Sequence, residues 1–271
     1  MPLKWRRFED TPEGQRILEE RAMKTPSVIP ASFSSMEAYN TCPKQFYETR
    51  ILKNWKQVET PEMDWGNRVH KALEQNVKYK RELPENMRQY NWVMDALLKG
   101  RREGTQVEAE LEVACTEDKQ PTGFWDGDCW VRGKIDVLAH DEEWTTALNG
   151  DHKTGKFKLN SKQLELSTLL CFAKWPSLKK VLTAFFWLAE PDPAKRITQK
   201  LYVRNDDDTV TTKDDKGKLL TRPLEEMWAP FEQNVGEMQW SLQNNAWPAN
   251  KSGLCKAHCP VLTCSFNGKR P

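Results

Sequence analysis

Residues 131–155 read VRGKIDVLAHDEEWTTALNGDHKTG, two apolar, β-prone runs on either side of the polar tetrapeptide His140-Asp141-Glu142-Glu143. This pattern predicts a β-hairpin with strands over 129–139 and 144–153. Asp136 lies in the first run and Asp151 fifteen positions later, near the end of the second, so hairpin pairing brings the two carboxylates together. Period-two geometry points Asp151 and Lys153 to one face of their strand and His152 to the other. Two close carboxylates can hold a hard divalent cation such as Mg²⁺. A neighbouring ammonium can stabilise negative charge developing in phosphoryl chemistry. A solvated hairpin also carries an Asp-x-Lys, so spacing alone does not decide the chemistry.

The flanking sequence sets the fold class. Upstream, 107–115 is a third strand-like run that carries Glu110 and Glu112 on one face. Helices are expected over 34–50, over 62–80, where Trp65, Val69, Leu73 and Val77 recur every four residues, and over 84–102. Downstream come a helix at 162–174, strands at 181–188 and 197–203, and a helix at 223–242. The order predicts an α/β (α+β) domain, a mixed central sheet flanked by helices. It divides into an arm at 1–31, the main domain at 32–249 and a cysteine-rich segment at 250–271. His70, on the flank of the second helix, could complete a metal shell, or be an ordinary half-buried residue paired with Glu74. Gln163 could meet a substrate phosphate or base, or face solvent.

Composition narrows the class of protein. The 271 residues carry 41 Lys and Arg against 39 Asp and Glu, a net charge of +2. The longest apolar run, Val181 to Ala189, is far short of the roughly 20 residues of a spanning helix, and MPLKWRRFEDTPE has no apolar leader core. The expectation is a soluble, cytoplasmic protein without a membrane partner. Seven cysteines, an odd number, argue against a disulfide framework. Cys115, Cys129 and Cys171 fall in strand or helix patterns and read as core. Cys255, Cys259 and Cys264 crowd a turn-rich tail that can wrap thiolates round an ion or cluster, and Cys42, before Pro43, stands apart. Of the twelve tryptophans, none is assigned to nucleic acid.

In order, Ser32 to Phe46, Gly66 to Glu74 with His70, Gly133-Lys134-Ile135-Asp136, Asp151-His152-Lys153-Thr154-Gly155 and Gln163 resemble the motifs of the PD-(D/E)XK nuclease superfamily. Within it, they resemble the RecB-like branch of CRISPR-adaptation and phage exonucleases. The resemblance implies a PD-(D/E)XK nuclease core with a C-terminal cysteine-rich clip. It implies that His70, Asp136, Asp151 and the main-chain carbonyl of His152 bind catalytic Mg²⁺ or Mn²⁺, and that Lys153 positions or activates the attacking water. Gln163 matches the branch's substrate-contacting glutamine, although Ser167 stands where a tyrosine is usual. Cys42, Cys255, Cys259 and Cys264 match the arrangement that holds a four-iron four-sulfur (4Fe-4S) cluster. Their C-x3-C-x4-C tail differs from the usual C-x2-C-x5-C, leaving zinc, with His258 as a further ligand, as the alternative. The implied function is a metal-dependent DNA exonuclease acting on ends or single strands, in phage or bacterial recombination, replication or repair, with a recombination or replication protein as a further partner. The alternative is a catalytically inactive nucleic-acid-binding or adaptor protein on the same fold.

Overall fold

Seven strands form one open sheet in the order β1 to β7: β1 Gln106–Cys115, β2 Val131–His140, β3 Thr146–Lys153, β4 Lys180–Trp187, β5 Ile197–Arg204, β6 Thr209–Lys213 and β7 Leu219–Pro223. All neighbours are antiparallel except β3 and β4. That parallel pair requires a crossover. The computed structural model describes Arg16 and residues 26, 28–56, 59–99, 103–157, 161–214 and 216–269. Most of the expected 1–31 arm therefore lies outside the described residues. The described residues of 34–58 and 234–271 form one compact unit, and those of 30–33 and 59–233 another. Among the described residues no helix is long and apolar enough to cross a membrane.

In the sheet-bearing unit, α3 (Pro61–Tyr79) starts where Thr60 accepts a hydrogen bond from the Met63 amide and Pro61 presets the first turn. Its stripe of Val69, Leu73 and Val77 is buried with Ala109, Val137, Ala139, Leu148, Ala184 and Phe186 of the sheet. The expected helix at 84–102 is instead a 3₁₀ turn, Glu85–Tyr90, followed by α4, Trp92–Leu98. The crossover helix α5 (Ser161–Lys174) covers the opposite face. Thr168 bonds to Thr183 there, Asn149 donates to Ser167 and Cys171, and Leu170 lies where a Cβ on Gly133 would meet it.

The hairpin forms as expected with its turn moved along. β2 continues through His140, and the turn is built on Asp141, whose carboxylate accepts from the amides and hydroxyls of Thr145 and Thr146. Trp144, expected in a strand, has φ +53° in that turn. The β6–β7 hairpin was not anticipated. Its short strands, TVTTK and LLTRP, turn through Asp214, which caps the amides of Lys216 and Lys218, and Gly217 at φ +81°.

In the other unit the expected 34–50 helix breaks at Cys42, because a residue before proline disfavours helical backbone. α1 (Phe33–Thr41) ends there, and α2 (Pro43–Phe46) leads into a π turn, Tyr47–Ile51. Cys42 is extended (φ −164°) and its sulfur accepts from the Gln45 amide. The part of helix α6 (Leu224–Gln243) from Asn234 onward belongs to this unit and precedes the tail, whose described residues hold the four-residue α7, Leu254–Ala257. The Tyr47 and Trp247 rings stack at 4.5 Å.

Candidate active site

The β2–β3 ladder runs from His140↔Ala147 to Val137↔Gly150 and stops. The next opposed residues are Asp136 and Asp151, so both carboxylates emerge where the strands part. Gly150 makes this possible: a Cβ there would lie 2.4 Å from the Phe186 ring and 2.8 Å from Val137. The amide of His152, released from the ladder, donates to Asp136 Oδ2 at 2.7 Å. His70 Nδ1, on α3, lies 3.4 Å from the same oxygen, and His152 Nδ1 lies 3.8 Å away. One ligand atom from each of His70, Asp136 and His152 falls within 4.8 Å of the others, a group that could hold a metal ion.

A second set of bonds fixes Asp151. Lys153 Nζ lies 2.8 Å from Asp151 Oδ1, Gln163 Nε2 donates to Asp151 Oδ2 at 2.6 Å, and Gln163 Oε1 accepts from Lys153 Nζ at 3.1 Å. Gln163, expected at a substrate, thus spends both ends of its amide on the carboxylate and the ammonium. Ser167, one turn further along α5, is held by Asn149 at 2.6 Å.

The two aspartates titrate apart. Burial raises the pKa of Asp136, but the hydrogen bond and charge of His70, with His152, outweigh it and hold the carboxyl below its usual range. Burial, then the nearby charge of Asp136, pushes Asp151 up to about 6 against the pull of Lys153. Burial opposes charge on His70, yet its bond to Asp136 and the charges of Asp136, Asp151 and Glu110 raise its pKa. His152 is desolvated and pushed down to about 4, and its Nε2 has no partner. His152 is therefore neutral near pH 7, Asp151 holds a proton more tightly than an ordinary carboxylate, and His70 and Asp136 each favour the other's charged form.

Sequence reading left Glu110 and Glu112 equivalent, and the fold separates them. Glu110 stands opposite Asp136 in the β1–β2 register, at φ +55°, with its carboxylate 3.3 Å from Lys134 Nζ and its charge acting on His70. Such backbone in a non-glycine strand residue costs on the order of 1–3 kcal/mol. Glu112 is exposed.

Outside the sheet unit, Cys42, Cys255, Cys259 and Cys264 line one small pocket. Cys42 Sγ accepts from the amides of Gln45 and Asn250 at 3.5 Å each, and Cys255 Sγ from the amide of Ser252 at 3.4 Å. His258 is exposed and is not part of that lining. Cys115, Cys129 and Cys171 are buried, as expected.

No individually curated protein matches the chain. The sequence profile of the PD-(D/E)XK nuclease superfamily matches residues 30–264. That span contains the whole sheet, the parted strand ends with their Asp136 and Asp151 carboxylates, and the Lys153 ammonium two residues on. The chain belongs to the PD-(D/E)XK nuclease superfamily.

Proposed function

We propose that this nuclease hydrolyses DNA from ends or along single strands, as in the RecB-like branch, with a divalent cation held by His70, Asp136, Asp151 and the main-chain carbonyl of His152. The observation that carries the reading is the gathering of Asp136, Asp151, Lys153 and His70 where β2 and β3 part. In an extended strand a residue's N–H and C=O point the same way. The His152 carbonyl therefore faces the same side as the amide bonded to Asp136. Hard oxygen donors with one imidazole suit Mg²⁺ or Mn²⁺. When bound, such an ion supplies a lowered water pKa and neutralises phosphoryl charge. The residues do the rest: Lys153 orients the water and meets charge on the phosphate oxygens, Gln163 holds Lys153 and Asp151 in register, and Glu110 supports the protonated form of His70. Incubation with end-labelled single- and double-stranded DNA, with Mg²⁺ or Mn²⁺ and with chelator, tests this. The nuclease reading fails if none is cut.

Cation binding must discharge protons from His70 and from Asp151, whose pKa values are both raised. Affinity for Mn²⁺, measured by calorimetry, is expected to climb as pH rises from about 5 to 8, with protons released on binding. A flat profile would remove these two residues from the ligand set.

End dependence gives a second expectation. If a strand must thread to the site, closed circular single-stranded DNA survives while linear DNA is degraded. Phosphate contacts make affinity fall steeply with salt despite the small net charge. Rapid cutting of circles identifies an endonuclease instead. The setting proposed is phage or bacterial recombination, replication or repair in the cytoplasm.

For the tail we propose a 4Fe-4S cluster on Cys42, Cys255, Cys259 and Cys264. Amide N–H groups aimed at Cys42 and Cys255 suit such a cluster, whose properties depend on hydrogen bonds to sulfur. A single zinc ion would hold thiolates about 3.8 Å apart, from tetrahedral Zn–S bonds of about 2.3 Å. Iron and zinc analysis of the purified protein separates the two.

A further inference from the structure

A cavity of about 690 Å³ opens beside the catalytic residues, and its walls are the continuations of the elements that carry them. Trp65 comes from α3, five residues before His70, about 7.5 Å along the helix axis. Thr154 and Phe157 come from the segment that follows Lys153, and Trp187 is the β4 residue paired with Lys153. Gly66 lets the helix approach here, since a Cβ on it would meet Thr154 Oγ1 at 3.0 Å. Trp187 is buried and anchored through Nε1 to Thr198 at 3.0 Å, and Phe157 rests on it with ring centroids 4.7 Å apart. Phe157 is 55% exposed, an aromatic face turned to solvent beside a nuclease centre.

We infer that this cavity receives one unpaired nucleobase of the strand being cut, stacked on Phe157 and Trp65 beside the scissile phosphate. The inference rests on the nuclease reading above. Continuity with the site favours this occupant: a phosphate held between Lys153 and the carboxylates carries its base one sugar away, within reach of walls built from the same helix and strands. Charge favours a base over a second phosphate. Glu62 and Glu190 line the cavity alongside Lys156; carboxylates repel phosphate but accept hydrogen bonds from base amino groups. Aromatic stacking tolerates every base, so the pocket would secure single strands without reading sequence.

The test uses full-length protein and short labelled oligodeoxycytidylates, each with one abasic site at a successive position. Affinity is read by fluorescence anisotropy with Ca²⁺, and cleavage is read in parallel with Mg²⁺. The expectation is that one abasic position weakens binding to the wild type by roughly tenfold, that Phe157→Ala weakens binding to intact oligonucleotide by a similar factor, and that combining them adds nothing. Phe157→Tyr should retain the affinity. Phe157 is exposed, so its replacement leaves the core intact. A flat abasic scan, or losses that multiply, overturns the base pocket while cleavage persists. A chain that neither binds nor cuts DNA overturns the nuclease reading and the pocket with it.

Discussion

Replacing Asp136 or Asp151 by alanine is expected to remove nearly all DNA cleavage while the protein stays folded. Each change deletes a charged oxygen donor that faces a second acid at the parted strand ends, and cation binding by the remainder should weaken sharply. The two should differ in stability. Asp151 has a folded pKa raised to about 6, so its contribution is present below the ordinary carboxylate pKa and is lost as pH rises through about 6. At pH 8 the metal-free Asp151→Asn protein should melt no lower than wild type, relief of the unfavourable buried charge being worth up to about 3 kcal/mol. Asp136 has the opposite sign: its pKa is depressed, so its contribution is present above the ordinary range and lost on acidification. Asp136→Ala also strands the His152 amide and should cost about 1–3 kcal/mol. Asp136→Asn, which keeps an oxygen for that amide, is the cleaner comparison. Lys153→Ala should keep cation affinity but lose roughly 10²- to 10³-fold in kcat, the scale for removing one transition-state donor. Cleavage assays, thermal melts and calorimetry on the same preparations check all of these. Robust cutting by Asp151→Ala, free of host nucleases, would sink the site.

The second large effect is expected in the cysteines. Protein purified anaerobically should be brown, with absorbance near about 400 nm from iron–thiolate ligation. Replacing Cys42, Cys255, Cys259 or Cys264 with serine should bleach it and lower its melting temperature. Cys42 and Cys255 are 213 positions apart in the chain. By analogy with disulfide loop closure, joining them is worth about 5 kcal/mol. The ligands His70, Asp136 and Asp151 are untouched by these changes, so activity lost in the serine variants would come from scaffold disorder. Serine at Cys115, Cys129 or Cys171 should leave the colour. Colourless protein with stoichiometric zinc and no iron would replace the cluster by a zinc site. Protein with neither metal would reduce the tail to ordinary packing.

The sequence by itself determined whatever depends on backbone period and near neighbours. The alternation in 131–155 was enough to pair β2 with β3 and so to place Asp136 beside Asp151, because strand register carries side chains with it. The four-residue recurrence of Trp65, Val69, Leu73 and Val77 was enough to turn one face of α3 into the core. Weak local signals failed: strands of only five residues at 209–213 and 219–223 hid a hairpin, and the Cys42-Pro43 break was read through. Only the tertiary structure decided between Glu110 and Glu112, two acids with the same spacing, by setting one opposite Asp136. It alone turned Gln163 back onto Asp151 and Lys153, and it alone drew Trp65, Phe157 and Trp187 from among many aromatics to one cavity. These outcomes depend on where separate elements meet in space. Local propensity fixes how a segment bends but not which distant side chain fills the volume beside it, and that volume is set by packing across the sheet.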